Sequence, residues 1–141
     1  MRAGWVLLLC LLCMACARQP DAEAIRERIG QMAGAAEAKS AGDLLDGISE
    51  DFIGNGELDR ARLASFVRGQ LLTGNAIGVD LGTIEVDVRG DRATARFQAT
   101  LTDGSGRWIP DRRATLDIET GWRREGGEWT CYNATWSRDG R

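Results

Sequence analysis

The sequence predicts an α+β domain with its helices first and an antiparallel sheet after them. Three observations carry this reading. Apolar residues recur at the helical period of about 3.6 between Ile25 and Leu71. From Ile77 the period falls to about 2, the signature of strands. Glycine-bearing turns at Gly90-Asp91 and Gly126-Gly127 then fold the second half into hairpins. A chain of 141 residues suits one domain with a single core. With 43% hydrophobic and 28% charged residues and only 2 Pro, its composition is globular and not disordered.

After a short tether at residues 17–21, the domain is expected to span residues 22–138. Ile25, Ile29, Met32, Ala33 and Ala36 form an apolar stripe on a first helix reaching about Lys39, with Asp21 as its cap. Ser40-Ala41-Gly42-Asp43 reads as a break, and Leu44 to Ile48 as a short second helix. Phe52 and Ile53 precede a turn at Gly54-Asn55-Gly56, and a third helix from about Asp59 to Leu72 places Leu63, Phe66, Val67 and Leu71 on one face. In the first hairpin, a two-residue turn sets Val86 opposite Ala95 and Glu85 opposite Arg96, apolar against apolar and acid against base. The second hairpin runs from Arg113 to Arg124 and from Trp129 to Ser137, with Trp122 opposite Cys131 and Thr120 opposite Asn133.

The first sixteen residues stand apart. Arg2 supplies a positive start, Val6 to Ala15 is an apolar or thiol run, and Met14-Ala15-Cys16 ends it, the layout of an export signal. The run falls short of the roughly 20 apolar residues that span a bilayer as a helix, so removal is expected. Its ending resembles a bacterial lipoprotein signal, with Cys13 standing where such signals usually carry Leu. The resemblance implies lipidation of Cys16 and a membrane anchor, and Ala17 implies sorting to the periplasmic face of the outer membrane. Cys10 and Cys13 would leave with the signal, so Cys131 would be the lone thiol of the mature chain, with core packing as its default role.

The remaining composition excludes more than it assigns. Past the signal, 17 basic side chains face 21 acidic ones, a formal net of −4 with no cluster of Lys or Arg, which argues against nucleic acid as a partner. His is absent, so Ser-His-Asp and Cys-His mechanisms are excluded, and a zinc site lacks its thiolates. No metal and no cofactor is expected.

Helices followed by long hairpins, together with Gly121-Trp122-Arg123-Arg124-Glu125-Gly126-Gly127-Glu128-Trp129 at the last turn, resemble the nuclear transport factor 2-like superfamily, which includes SnoaL-like cyclases and ketosteroid isomerases. The resemblance covers most of residues 22–138. It implies three helices on a strongly curved antiparallel sheet, a cystatin-like cone whose mouth holds a small apolar ligand, and a homodimer formed through the sheet.

Candidate site residues are weighed against plainer roles. Trp108, beside a loop, is the better ligand contact. Trp122 and Trp129 share a sheet face, where core packing is the plainer role. Asn133 is expected on that face, as ligand contact or as a polar group satisfied by backbone. Asp51, Asp117 and Glu119 are the acids placed nearest a cavity, whereas Arg96 and Gln98 read as a solvated face. Tyr132, the single Tyr, is expected on the face opposite Asn133 and Cys131. These placements predict a non-catalytic cell-envelope domain that binds a small molecule or a protein. The alternative is a carboxylate-based lyase, isomerase or hydrolase acting on a small apolar substrate within the cone, and a third reading is a dimeric envelope subunit whose hollow its own side chains fill.

Overall fold

The structure, a computed structural model, describes residues 20–73, 76–103 and 114–139. The expected signal with Cys16, the tether up to Gln19, and Trp108 lie outside the described residues. The elements are α1 (Asp21–Glu37), α2 (Ala41–Asp46), β1 (Ile48–Gly54), β2 (Leu58–Asp59), α3 (Arg60–Thr73), β3 (Ile77–Leu81), β4 (Glu85–Arg89), β5 (Arg92–Asp103), β6 (Ala114–Glu125) and β7 (Glu128–Arg138).

The three expected helices are present, with local differences. Pro20, not Asp21, sits at the cap of α1, its carbonyl accepting the Ala24 N–H at 3.0 Å. Asp21 opens the first turn, where the helix dipole favours a carboxylate. The α1 stripe buries Ile25, Ile29 and Ala35, with Met32 packed beside them, in place of the expected Ala33 and Ala36. The stretch read as a break is the start of α2: the Ser40 hydroxyl accepts the Asp43 N–H at 3.4 Å, an N-cap, and Ile48 leaves the helix to open a strand. Asp59 likewise caps α3 by accepting the Arg62 N–H at 2.8 Å. The core-facing line of α3 runs through Ala64 and Leu71, two turns apart. Phe66 lies nearly opposite that line, which is why it is 60% exposed rather than packed with Leu63.

The sheet runs β2-β1-β7-β6-β5-β3, with β4 also on β5, and does not close. The period did not announce β1, whose burial pattern is irregular. It is also the exception to antiparallel order, pairing with β7 in parallel. The first hairpin has the expected register, Val86 against Ala95 and Glu85 against Arg96. Beyond it β5 pairs with β3, and the Gly82 N–H bonds Gln98 O at 2.9 Å, so β3 and β4 together cover one edge of β5. In the second hairpin Gly126 and Gly127 take φ of 56° and 85°, the left-handed backbone that a two-residue turn demands.

Trp122 faces Cys131 as expected, but Thr120 faces Ala134 and Gly121 faces Asn133. Tyr132 is the extra residue of a β-bulge. The bulge changes which side chains look inward. Trp129 and Cys131 are buried before it, Ala134 after it, while Asn133 is exposed.

Helix α1 packs against β3, β4 and β7. In strand order β3 and β7 are three spacings apart, about 14 Å on a flat sheet, more than a helix of about 10 Å diameter covers, so the sheet bends over α1. Between them lie Ile25, Ile29, Phe52, Trp122, Trp129 and Cys131, all buried. Side chains of α1 also cap the sheet edge: Glu37 accepts the Val79 N–H at 2.9 Å, and Arg26 donates to Ile84 O at 3.0 Å. Occupying those groups blunts the edge against pairing with another strand.

Candidate functional site

Strand alternation sends Ala93, Ala95 and Ala99 into the core and turns Arg96 and Gln98 outward. The same holds across the neighbouring strands, so polar side chains assemble in rows over the outer face of the sheet. One row is Glu85, Arg96, Glu119 and Thr135, on β4 to β7 in register. The next is Gln98, Asp117 and Ser137. Arg96 pairs with Glu119 at 2.7 Å, and Gln98 donates to Asp117 at 2.8 Å, so each row is held by its own partners. Between the rows runs an open groove of about 700 Å³, bounded at the β3–β4 edge by Gly82 and Thr83. Phe97, Ile118 and Trp136 belong to the strand positions between the two rows.

Nearer the turns, the same face carries an ionic knot. Arg123 donates to both oxygens of Asp51, at 2.7 and 3.2 Å, to Ser49 Oγ at 2.9 Å and to Glu125 at 2.7 Å. The Ser49 hydroxyl, buried, donates in turn to Asp51 at 2.5 Å. Hydrogen bonds from Arg123, then from Ser49, hold the Asp51 carboxyl well below the usual carboxylate range. Asp51 and then Glu125 hold the Arg123 guanidinium above its ordinary value. The Tyr132 ring is approached by two cations, with Arg92 at 5.1 Å and Arg123 at 5.3 Å from its centroid. The knot ties β1 to β6 across β7, with both sides of the charge account satisfied locally.

The sequence-derived candidates fall on different sides of this sheet. Trp122 is 1% exposed in the core, its indole N–H donating to Thr120 Oγ1 at 2.8 Å. Trp129 is buried under Arg124, whose guanidinium sits 4.9 Å from the ring centroid. Its indole N–H donates to Asp21 at 3.2 Å, and Asp21 also pairs with Arg124, which pins the start of α1 to the second hairpin. Trp129 also borders a smaller hollow of about 250 Å³ against α1. Asn133 does not share the inward face of Trp129 and Cys131, because the bulge turns it outward. It does not oppose Tyr132 either: a side chain built on Gly121 would meet both Asn133 and Tyr132. Asp51, Asp117 and Glu119 all stand on the outer face rather than in an apolar hollow. Burial pushes the Cys131 thiol up to about 12, consistent with packing rather than nucleophilic use. Among the described residues no three Cys, Asp or Glu side chains converge as a metal ion would require.

Sequence reasoning named Arg96, Gln98, Asp117 and Glu119 but not their assembly into a groove. The alternation that marks Arg96 and Gln98 as outward was legible, whereas Asp117 and Glu119, expected nearest a cavity, stand beside them on the same outer face. The cross-strand register that aligns β5 with β6 was not, because residues 104–113 separate the two strands in sequence and no turn residues fix the pairing by counting.

No protein-family model matches the chain, and no curated protein matches it. Solved structures do. An NTF2-like protein of unknown function from Pseudomonas putida superposes with a TM-score of 0.72 at 16% identity, over 82% of this chain and 84% of that one. An NTF2-like protein with a cystatin-like fold from Novosphingobium aromaticivorans gives 0.66 at 24% identity, over 84% and 82%. An NTF2-like family protein from Streptomyces avermitilis, provisionally named a dehydratase, gives 0.69 at 14% identity, over 84% and 95%. Likeness at these identities speaks to architecture and not to activity. The chain has the NTF2-like, cystatin-like fold, with its helices packed against a seven-stranded sheet that does not close.

Proposed function

We propose that this chain is an exported, lipid-anchored cell-envelope domain that acts by binding a protein at the outer face of its sheet, without catalysis of its own. The observation that carries the binding reading is the groove between the two polar rows. It is open, it is lined by hydrogen-bonding side chains together with Phe97, Ile118 and Trp136, and the polar side chains are pre-ordered by the Arg96–Glu119 and Gln98–Asp117 pairs. The position of the aromatic residues supports the same choice. Among the described residues Trp122, Phe52, Ile25 and Cys131 are the largest fully buried side chains, and they meet where a cone-held apolar ligand would otherwise lie. A carboxylate base needs an apolar, enclosed setting to raise its pKa. Asp51, Asp117 and Glu119, the acids favoured for that role, have solvent and ionic or amide partners instead.

The anchor rests on the sequence of the first sixteen residues, and a second copy of the chain remains one candidate partner for the sheet face. A photo-crosslinking residue at Gln98, introduced in cells that make the protein, is expected to yield a protein adduct, whereas one at Glu27 on the exposed side of α1 is not. Adducts from Glu27 alone would overturn the sheet-face assignment. Replacement of Cys16 by Ser should release the chain from the membrane fraction. Retention of that variant would remove the lipid anchor from the account.

A further inference from the structure

We infer that the groove receives a basic, extended segment of another protein, with lysine or arginine side chains against Glu85 and Asp117. The inference rests on the sheet-face reading above and names its partner's chemistry. Among the described residues, four charged side chains line the groove: Glu85, Asp117 and Glu119 against Arg96. Arg96 is committed to Glu119, and Gln98 engages one oxygen of Asp117. Among the described residues Glu85 has no ionic partner, and the second oxygen of Asp117 accepts from none. The acids are spread over β4 and β6 rather than gathered at a point, so the groove suits charges distributed along a chain and not a single bound ion.

The dimensions agree with a peptide. From β4 to β7 the groove crosses three strand spacings, about 14 Å, the length of about four residues of extended chain. The terminal nitrogens of Arg96 and the hydroxyls of Thr135 and Ser137 can serve the segment's backbone, while the carboxylates take its cations. The sign of the charge decides among occupants. An anionic ligand meets an excess of carboxylates, an apolar one must strip water from charged side chains to reach Phe97, Ile118 and Trp136, and a second copy would bring two like-charged grooves face to face.

The test uses the mature chain with Cys16 replaced by Ser and two synthetic probes, a hexapeptide of alternating Thr and Lys and the same peptide with Glu for Lys. Backbone amide shifts are followed by NMR. The lysine peptide is expected to shift the amides of Arg96, Gln98, Asp117 and Glu119 and to weaken as salt is added. Glu85→Gln and Asp117→Asn should each raise Kd by about two- to fivefold, the range of an exposed ion pair. Asp46→Asn, an exposed acid on α2, should leave it unchanged. An unchanged Kd in both groove variants overturns the inference. Shifts at the same four amides with the glutamate peptide, or from self-association, would retain the binding face and overturn the basic partner. Shifts elsewhere or nowhere, with either peptide and with no self-association, overturn the inference and count against the sheet-face reading as well.

Discussion

Removing the indole N–H of Trp122 tests whether the space between α1 and the sheet is filled by the chain itself. Trp122 is 1% exposed and donates to Thr120 Oγ1 at 2.8 Å, and the Thr120 hydroxyl donates onward to Ala95 O at 3.3 Å. Trp122→Phe deletes roughly 40 Å³ of ring, which at about 24 cal/mol per Å³ of unfilled cavity costs about 1 kcal/mol. It also removes one buried hydrogen bond, worth about 1 kcal/mol. The expected loss is therefore about 2 kcal/mol, a large share of the 5 to 15 kcal/mol typical of a small domain. Thr120→Val strands the indole N–H without an acceptor and should cost about 1–3 kcal/mol. In the double variant both polar partners are gone, so it should cost about 1–2 kcal/mol less than the sum of the singles. Urea unfolding followed by far-ultraviolet circular dichroism measures all three without relying on tryptophan emission. A neutral Thr120→Val, or single effects that add within about 0.5 kcal/mol, would mean that the indole N–H finds water, and the filled interior would be refuted.

Further perturbations probe separate parts of the account. Gly121→Ala should destabilise the domain, because the added Cβ meets Asn133 and comes within 3.1 Å of Tyr132 Cζ, and Asn133→Ala in the same chain should recover part of the loss in a denaturation series. The Cys131 thiol, pushed up to about 12 by burial from an ordinary 9.0, should resist alkylation in the folded domain. Because its folded pKa is the higher one, its contribution to stability is complete below pH 9 and declines as pH rises towards 12, which unfolding midpoints of wild type and Cys131→Ala across that range would measure. Glu37→Ala should speed hydrogen exchange at the Val79 amide, which loses its acceptor, with little change at interior amides of β6.

Much of the fold was legible because it is local. Alternation gave β4, β5, β6 and β7, and the glycine pairs set the two hairpin turns, so Val86 against Ala95 and Trp122 against Cys131 followed from counting. What could not be counted was nonlocal or irregular. The bulge at Tyr132 shifts the register by one residue, and one residue is enough to move Asn133 from the inner face to the outer. The parallel pairing of β1 with β7 joins residues some eighty apart, and β1 hides because buried Ser49 and Gly54 interrupt its apolar pattern. Gly54 is buried because the Trp136 ring fills the space a side chain would need, a reason visible only once the strands are assembled. The candidate site divides the same way. Individual outward residues were readable from alternation, whereas the groove needed the alignment of β5 with β6.

The claim that recognition takes place outside a filled interior meets its most direct test in native mass spectrometry of the mature domain, with Cys16 replaced by Ser, purified from the cells that make it. The account predicts the mass of the chain alone or of the chain with bound protein. A retained small apolar molecule, released only on unfolding, would contradict it.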